Sequence, residues 1–551
     1  MVGMTDVAAQ VPPSAGQLLN EQQRTLPPAP PAGVAPPTTG VAPAAPAADA
    51  SQSAGLAVRL RSVRFSGATE LAASENLAAL AAPSIGRTLG HGELQQIAEA
   101  ATRQLRARGY VLARAYLPRQ DLTEGDLEIA IVAGRLQSGA DRIAVKGQTR
   151  IDPARLRAIA EAALPEGRPV RGDDLERGNE PSTSRLVVDA TEGAPVQGSA
   201  WTDNYGNRST GSARVGAQVL LNDPLRLGDA ASLGVSKSSG STVALFNYSV
   251  PLTASGLRLN AGASYLRYHV DQEAFEPLDL RGTAKAGQLG LSYPVLRTRN
   301  ANLTASATYE QRRLDDDALG ARVRSRQVEG LSFALAGNRI DTFAGGGLWD
   351  GAAVLTAGRA DLGGNAVDRI VDSLTARTDG SFQKVVLRAN RLQNLGGTPG
   401  AEWTLFAGAT GQLASGNLDS SEKFILGGPS GVRAYPVGEA AGDQGVLGTV
   451  ELRRNIDIGG DRKLQGLAFV DAGRVRLHKS AWPGSLTNAD GTNEYSLAGA
   501  GVGANLWIGR WTLRAAVART LGDNPGRSLA GLDADGRSSK WRGWVQAAYA
   551  F

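Results

Sequence analysis

From Gln197 to its last residue the chain repeats short runs in which apolar and polar residues alternate, each broken by Gly, Asn or Asp. Alternation with period two is the mark of strands that bury one face. Ser212 to Leu221, Thr242 to Val250, Leu257 to Tyr268, Lys384 to Arg391, Trp403 to Leu413 and Leu497 to Ile508 are examples. About sixteen such runs can be counted, the even number expected of a bacterial membrane barrel. Some connections are tight, as at Gly509-Arg510, and others long, as over 414–445, with no helix of useful length between the strands. An open sheet of this size would leave unpaired edges, and closure removes them. The chain ends on Trp544 to Phe551, where Val545, Ala547, Tyr549 and Phe551 fall on one face and an aromatic residue comes last.

No stretch approaches the roughly 18 to 20 apolar residues of a membrane helix, so a membrane passage would have to be made by strands. The chain has no cysteine, which excludes disulfides, thiol nucleophiles and Cys-ligated zinc together. Its 58 basic and 53 acidic residues are interspersed, without the basic block or face of a nucleic-acid binder. The amino terminus has no apolar core of a signal peptide. Val7-Ala8-Ala9 before Gln10 reads as the tail of a cleavage site whose upstream part is missing.

Ser14 to Leu26 can form a short amphipathic helix, with Ser14 as cap and Leu18, Leu19, Gln22 and Leu26 near one face. Pro27 to Ala50, almost entirely Pro, Ala, Gly, Val and Thr, is an extended linker; at roughly 3 Å per residue it could reach about 70 Å. From Leu56 to Arg135 the texture is α+β. Val58 to Phe65 reads as a strand, Gly92 to Arg108 as a helix with Leu94, Ile97, Ala98, Ala101 and Leu105 in period, and Tyr110 to Leu117 and Asp126 to Val132 as strands. A second, similar unit begins at Arg142 with the strand Ile143 to Val145 and a helix after Pro153, and ends on the strand Arg185 to Ala190.

Two motifs sharpen this reading. A long loop carries Gly427-Gly428-Pro429-Ser430-Gly431-Val432-Arg433-Ala434-Tyr435-Pro436, and a later strand carries Phe469-Val470-Asp471-Ala472-Gly473. In these, in Asp203-Asn204-Tyr205-Gly206 and in the terminal Phe551, the sequence resembles the two-partner secretion transporters (the TpsB family, FhaC/ShlB/HecB type) of the BamA-related superfamily. The resemblance covers nearly the whole chain. It implies a membrane all-β barrel of about 16 antiparallel strands, preceded by small α+β POTRA domains and an N-terminal helix plus linker. The corresponding segments are 1–26, linker 27–55, POTRA 1 at 56–137, a shortened POTRA 2 at 138–196, and the barrel at 197–551.

In the family a Val-Arg-Gly-Tyr loop tip folds into the lumen, matched here by Val432, Arg433 and Tyr435 with Ala434 in the place of glycine. A Phe-x-Asp-x-Gly motif on the thirteenth strand is matched by Phe469, Asp471 and Gly473, so the resemblance implies that Arg433 pairs with Asp471. Tyr549 and Phe551 match the C-terminal barrel-assembly signal. In the second POTRA unit Leu175-Glu176-Arg177 resembles the start of the family's second helix, but the polar run 178–184 follows at once, so helix and strand are lacking.

The resemblance implies export without nucleotide hydrolysis. The partner is a secreted exoprotein of haemolysin or filamentous-adhesin type, taken up through its N-terminal secretion domain by the periplasmic POTRA domains. Further partners are outer-membrane lipids and, during biogenesis, the barrel-assembly machinery, but no nucleic acid. The alternative is a BamA-like insertase, which shares the loop and strand motifs but usually carries more POTRA units; a passive pore would leave those units without a task. No catalytic, cofactor or metal residues are read. Gly499-Ala500-Gly501-Val502-Gly503 lacks the following helix of a nucleotide loop, and Asp315-Asp316-Asp317 reads as a solvated turn rather than a calcium site.

Overall fold

The computed structural model describes residues 12–25, 57–108, 110, 113–133, 135–136, 143–147, 149–163, 175–177, 183–190, 192–298, 300–398 and 400–551. The linker 27–55 and the segment Val7 to Gln10 lie outside them. The chain divides into two compact units, 33–193 and the rest.

The larger unit is a closed antiparallel barrel of sixteen strands in sequence order. They run from β1 (Val196–Asp203) and β2 (Arg214–Asn222) through β5 (Arg258–His269), β7 (Ala301–Ala318), β8 (Ala321–Asp341), β9 (Gly347–Asp361), β10 (Gly380–Thr398) and β11 (Ala401–Ala414). They end with β12 (Gln444–Asp457), β13 (Arg462–Arg476), β14 (Glu494–Ile508), β15 (Trp511–Thr520) and β16 (Trp541–Ala550). The alternation decides which way each side chain points. Phe333, Leu355, Leu387, Val502, Val517 and Val545 stand exposed on the outer wall, whereas Phe469, Asp471, Tyr495 and Trp544 are buried inside. An apolar outside around a partly charged inside is what a lipid-spanning barrel requires.

Closure is made by the chain's two ends. β1 pairs with β16 from Ser199–Ala550 to Asp203–Gln546. Gly198 and Phe551 then exchange both backbone hydrogen bonds, at 3.0 and 2.9 Å. A Cβ on Gly198 would overlap the Phe551 ring, so a glycine is needed there.

Two features of the barrel differ from the sequence reading. Asp315, Asp316 and Asp317 are not in a turn but in β7, and the first two are buried. The strands are also interrupted by a helix, Ala366–Leu374, between β9 and β10. It nucleates because the Asn365 side chain accepts the N–H groups of Val367 and Asp368, and its nine residues are short enough to pass for part of a strand run.

In the smaller unit, strands Ser62–Gly67 and Asp126–Val132 pair in parallel and Arg114–Tyr116 adds antiparallel to the latter. Leu127, Ile129 and Ile131 face Leu94, Ile97, Ala98, Ala101 and Leu105 of helix His91–Ala107 to form the core. The run Val58 to Phe65 is two strands rather than one: Ala57–Arg59 pairs with Thr88–Gly90, and the chain turns at buried Leu60 before Ser62. The first strand after the helix is also shorter than Tyr110 to Leu117. Further on, Thr183–Asp189 is flanked in parallel by Ile143–Lys146 and Arg135–Leu136, with helix Pro153–Ala163 between these strands in sequence. Leu175–Arg177 is a strand antiparallel to Thr183–Asp189, not the start of a helix. The neighbouring strand, rather than a helical turn, satisfies the backbone of these residues.

Candidate functional site in the barrel lumen

The connection between β11 and β12, residues 415–443, is the sixth loop at the rim end of the barrel. Its acidic residues Asp419, Glu422 and Asp443 are buried. They meet cations on the inner wall and within the loop: Arg326 holds Asp419 at 3.1 Å, Arg312 and Lys384 hold Glu422, and Lys423 holds Asp443 at 2.5 Å. These cations offset the cost of burying the three carboxylates.

The tip of the loop reaches β13. Arg433 donates from Nε and Nη2 to the two oxygens of Asp471, both at 2.8 Å, and its backbone N–H donates to Asp471 Oδ2 at 3.1 Å. Thr449 on β12 adds a hydroxyl donor at 3.0 Å, so this fully buried carboxylate has four donors. The third guanidinium nitrogen pairs with Glu451 at 2.7 Å, and the plane lies 3.4 Å over the Phe469 ring. Only a planar fork fills all these positions; lysine would not.

Glycines let the tip fit. A Cβ on Gly431 would run into the Leu426 carbonyl, and one on Gly473 into the Leu426 side chain. On β14, Gly499 leaves room for Ala434 and Gly501 for the Phe469 ring. Ala434 is not among the residues with positive φ, so its side chain costs no backbone strain. Val432 and Tyr435 are wholly buried. Across the barrel, the Trp544 indole on β16 donates to the Arg433 carbonyl at 2.8 Å and meets Tyr205 edge-on at 5.9 Å.

The amino-terminal helix, Ala15–Thr25, lies inside the barrel beside this loop. Leu18 and Leu19 pack in one cluster with Leu266, Leu314 and Leu418. The Ala15 N–H donates to Asp316 at 2.8 Å, and Tyr268 donates to the same oxygen at 2.7 Å. A carboxylate at a helix amino terminus satisfies an orphan donor and opposes the helix dipole. At the other end Arg214, itself paired with Asp203 at 2.8 Å, donates to Gln22 and Thr25, both at 2.8 Å. Asn207 donates to Glu21 at 3.0 Å. The loop contributes as well: Arg24 donates to the Ile425 carbonyl at 2.6 Å, and Ser14 to Ser420 at 2.8 Å.

Val432, Arg433, Ala434 and Tyr435 thus meet Phe469, Asp471 and Gly473, whereas Tyr549 and Phe551 sit apart, at the closing seam. Sequence reasoning missed Asp203, Arg214, Asp316, Glu451 and Trp544. Asp203 stood within a quoted motif, Asp316 within a noted triplet and Trp544 at the start of the terminal run; Arg214 and Glu451 carry no local signal.

A closed sixteen-stranded barrel with an apolar outer wall, whose lumen holds a helix and an inward loop, defines an integral outer-membrane β-barrel protein. Residues 182–506 match the family of haemolysin secretion/activation proteins ShlB/FhaC/HecB, and residues 58–134 match the ShlB-type POTRA domain. The chain belongs to that secretion/activation family: it is a two-partner secretion transporter of the bacterial outer membrane, with periplasmic POTRA domains.

Among curated relatives it is 23% identical over 478 residues to the heme/hemopexin transporter protein HuxB of Haemophilus influenzae, covering 82% of this chain and 81% of that one. It is 27% identical over 425 residues to the outer membrane transporter CdiB of Escherichia coli, covering 70% and 67%. The solved CdiB from Escherichia coli superposes with a TM-score of 0.68 at 20% identity, over 98% of this chain and 96% of that one, which establishes a shared fold. The family match favours secretion over barrel assembly.

Proposed function

We propose that this chain exports one large unfolded exoprotein through its barrel, with the lumen helix as a removable plug and the sixth loop as a brace. The division into an N-terminal segment 1–26 with the plug helix, linker 27–55, POTRA 1 at 56–137, a shortened POTRA 2 at 138–196 and barrel from 197 is part of the proposal. The observation that carries it is the way the helix is held. The polar contacts that tie Ala15–Thr25 to the wall and the loop are hydrogen bonds, and such contacts can be exchanged for water when the helix withdraws. The linker supplies the reach. Arg433, Asp471 and their neighbours keep the loop against β13 while cargo passes.

The exoprotein's N-terminal secretion domain would add a strand to a free edge of the first POTRA sheet, where Ser62–Gly67 and Arg114–Tyr116 are the outer strands. In this reading the cargo is a secreted exoprotein of haemolysin or filamentous-adhesin type. Lipids of the outer membrane and the barrel-assembly machinery are partners in the same reading, the latter through Tyr549 and Phe551. Deletion of the chain's gene tests it: one large protein should vanish from the culture medium and return on complementation. An unchanged set of secreted proteins would overturn the reading.

A further inference from the structure

The seam between β1 and β16 is not paired along its whole length. Strand pairing stops at Asp203–Gln546. Beyond it Asn204 stitches the gap: its Nδ2 donates to the Gly543 carbonyl at 2.9 Å, and its Oδ1 accepts the Val545 N–H at 2.9 Å. Past this stitch a cavity of about 220 Å³ opens between the β1–β2 loop, the sixth loop and the loop that leads into β16.

Three guanidinium groups line it, Arg208, Arg537 and Arg542, against one carboxylate, Asp535. Arg542 uses its terminal nitrogens on Asp533 and Asp535, but its buried Nε has no hydrogen-bond partner. Arg208 donates to the Asp535 main-chain carbonyl at 2.7 Å and so leaves that residue's charge to Arg542. Arg537 is exposed and makes no ion pair among the described residues. The cavity therefore has an excess of positive charge, and the exposed Arg537 guanidinium has donors to spare, whereas Arg542 Nε is walled off and contributes charge alone. Arg-lined sites of this kind suit phosphate, whose oxygens accept from several guanidinium nitrogens at once.

Its height selects the source of that phosphate. Trp541, which forms part of the wall, is 57% exposed on the outer side of β16, with the Arg519 guanidinium 5.6 Å above its ring. An amphipathic tryptophan on the outside of a barrel marks the boundary between hydrocarbon and headgroups. The cavity lies at the end of the barrel that carries the long loops, opposite the end at which Val196 opens β1, and so at the outer leaflet.

We propose that this cavity at the seam binds the phosphate group of an outer-leaflet glycolipid, through Arg537 and Arg208 with Arg542 behind them. The test uses the full chain in a non-ionic detergent, titrated with bis-phosphorylated lipid A, with its dephosphorylated form and with inorganic phosphate. Phosphorylated lipid should bind about tenfold more tightly than the dephosphorylated form. Arg537→Gln, at an exposed side chain without an ion pair, should weaken it by about tenfold. Arg208→Gln provides a second variant, and heat-modifiable gel mobility verifies that each barrel is closed. Equal binding of the two lipids, variants that bind like wild type, or inorganic phosphate bound as tightly as the lipid would each overturn the proposal.

Discussion

Asp316 on β7 accepts the backbone N–H of Ala15 at 2.8 Å, so the barrel wall itself caps the helix that fills the lumen. Loss of such a cap costs about 0.5–2 kcal/mol. Asp316→Ala should therefore raise the fraction of channels with the helix withdrawn by roughly 2- to 30-fold. Single-channel recording in planar bilayers would show more frequent full openings, and an opening rate equal to that of wild type would count against the cap.

Arg433→Ala and Asp471→Ala should each insert as closed barrels but export poorly. Leaving one partner buried and unpaired costs on the order of 3 to 5 kcal/mol, less where water reaches the pair. Reversing both charges should restore little, because Glu451 lies 2.7 Å from the guanidinium and would repel a carboxylate at 433. Secretion measured for the two single variants and the reversed pair decides this; full export by both single variants would remove the loop contact from the mechanism.

Gly499→Ala should destabilise the loop tip, since its Cβ would overlap that of Ala434. Overpacking of this kind costs about 1–3 kcal/mol. Ala434→Gly added to Gly499→Ala should recover most of the loss in thermal stability. No recovery would mean that the two side chains do not compete for the same space.

Glu439 in the sixth loop accepts from Asn524 at 3.0 Å and from the Ala534 N–H at 2.7 Å, which ties this loop to the one before β16. Burial pushes its carboxyl up from 4.5 to about 7, with Asp533 and Asp535 adding to the effect. A raised carboxyl favours the protonated form in the folded contact. The contribution is therefore fully present below 4.5 and is lost as pH rises through about 7. Hydrogen exchange of residues 521–540, corrected for intrinsic rate, should speed up across that window in wild type and not in Glu439→Gln. The same dependence in both proteins would exclude Glu439 as its source.

The barrel was legible because alternation is local: one face of each strand meets lipid and the other the lumen, and both leave their mark within a few residues. The contents of the lumen were less so. Ala15 and Asp316 are 301 positions apart, and nothing near either one names the other. An acidic triplet looks like a solvated turn until β7 is seen to carry it inward. Gly499 and Gly501 suggested at most a weak nucleotide loop, whereas the space they leave is taken by Ala434 and Phe469. The loop and strand motifs stood out as sequence, but the other partners of Arg433, namely Glu451 and the Trp544 indole, come from separate strands. Helix Ala366–Leu374 was hidden because nine residues between two strands are too few for a periodic signal.

The most direct test of the account is to lock the helix in place. Ser14 and Ser420 lie with their hydroxyl oxygens 2.8 Å apart, and the chain has no cysteine of its own. Ser14→Cys with Ser420→Cys should therefore give a single cross-link between helix and loop under oxidising conditions. Export and full channel opening should both cease on oxidation and return on reduction. Undiminished export by a fully cross-linked barrel would contradict the claim that the helix must leave for cargo to pass.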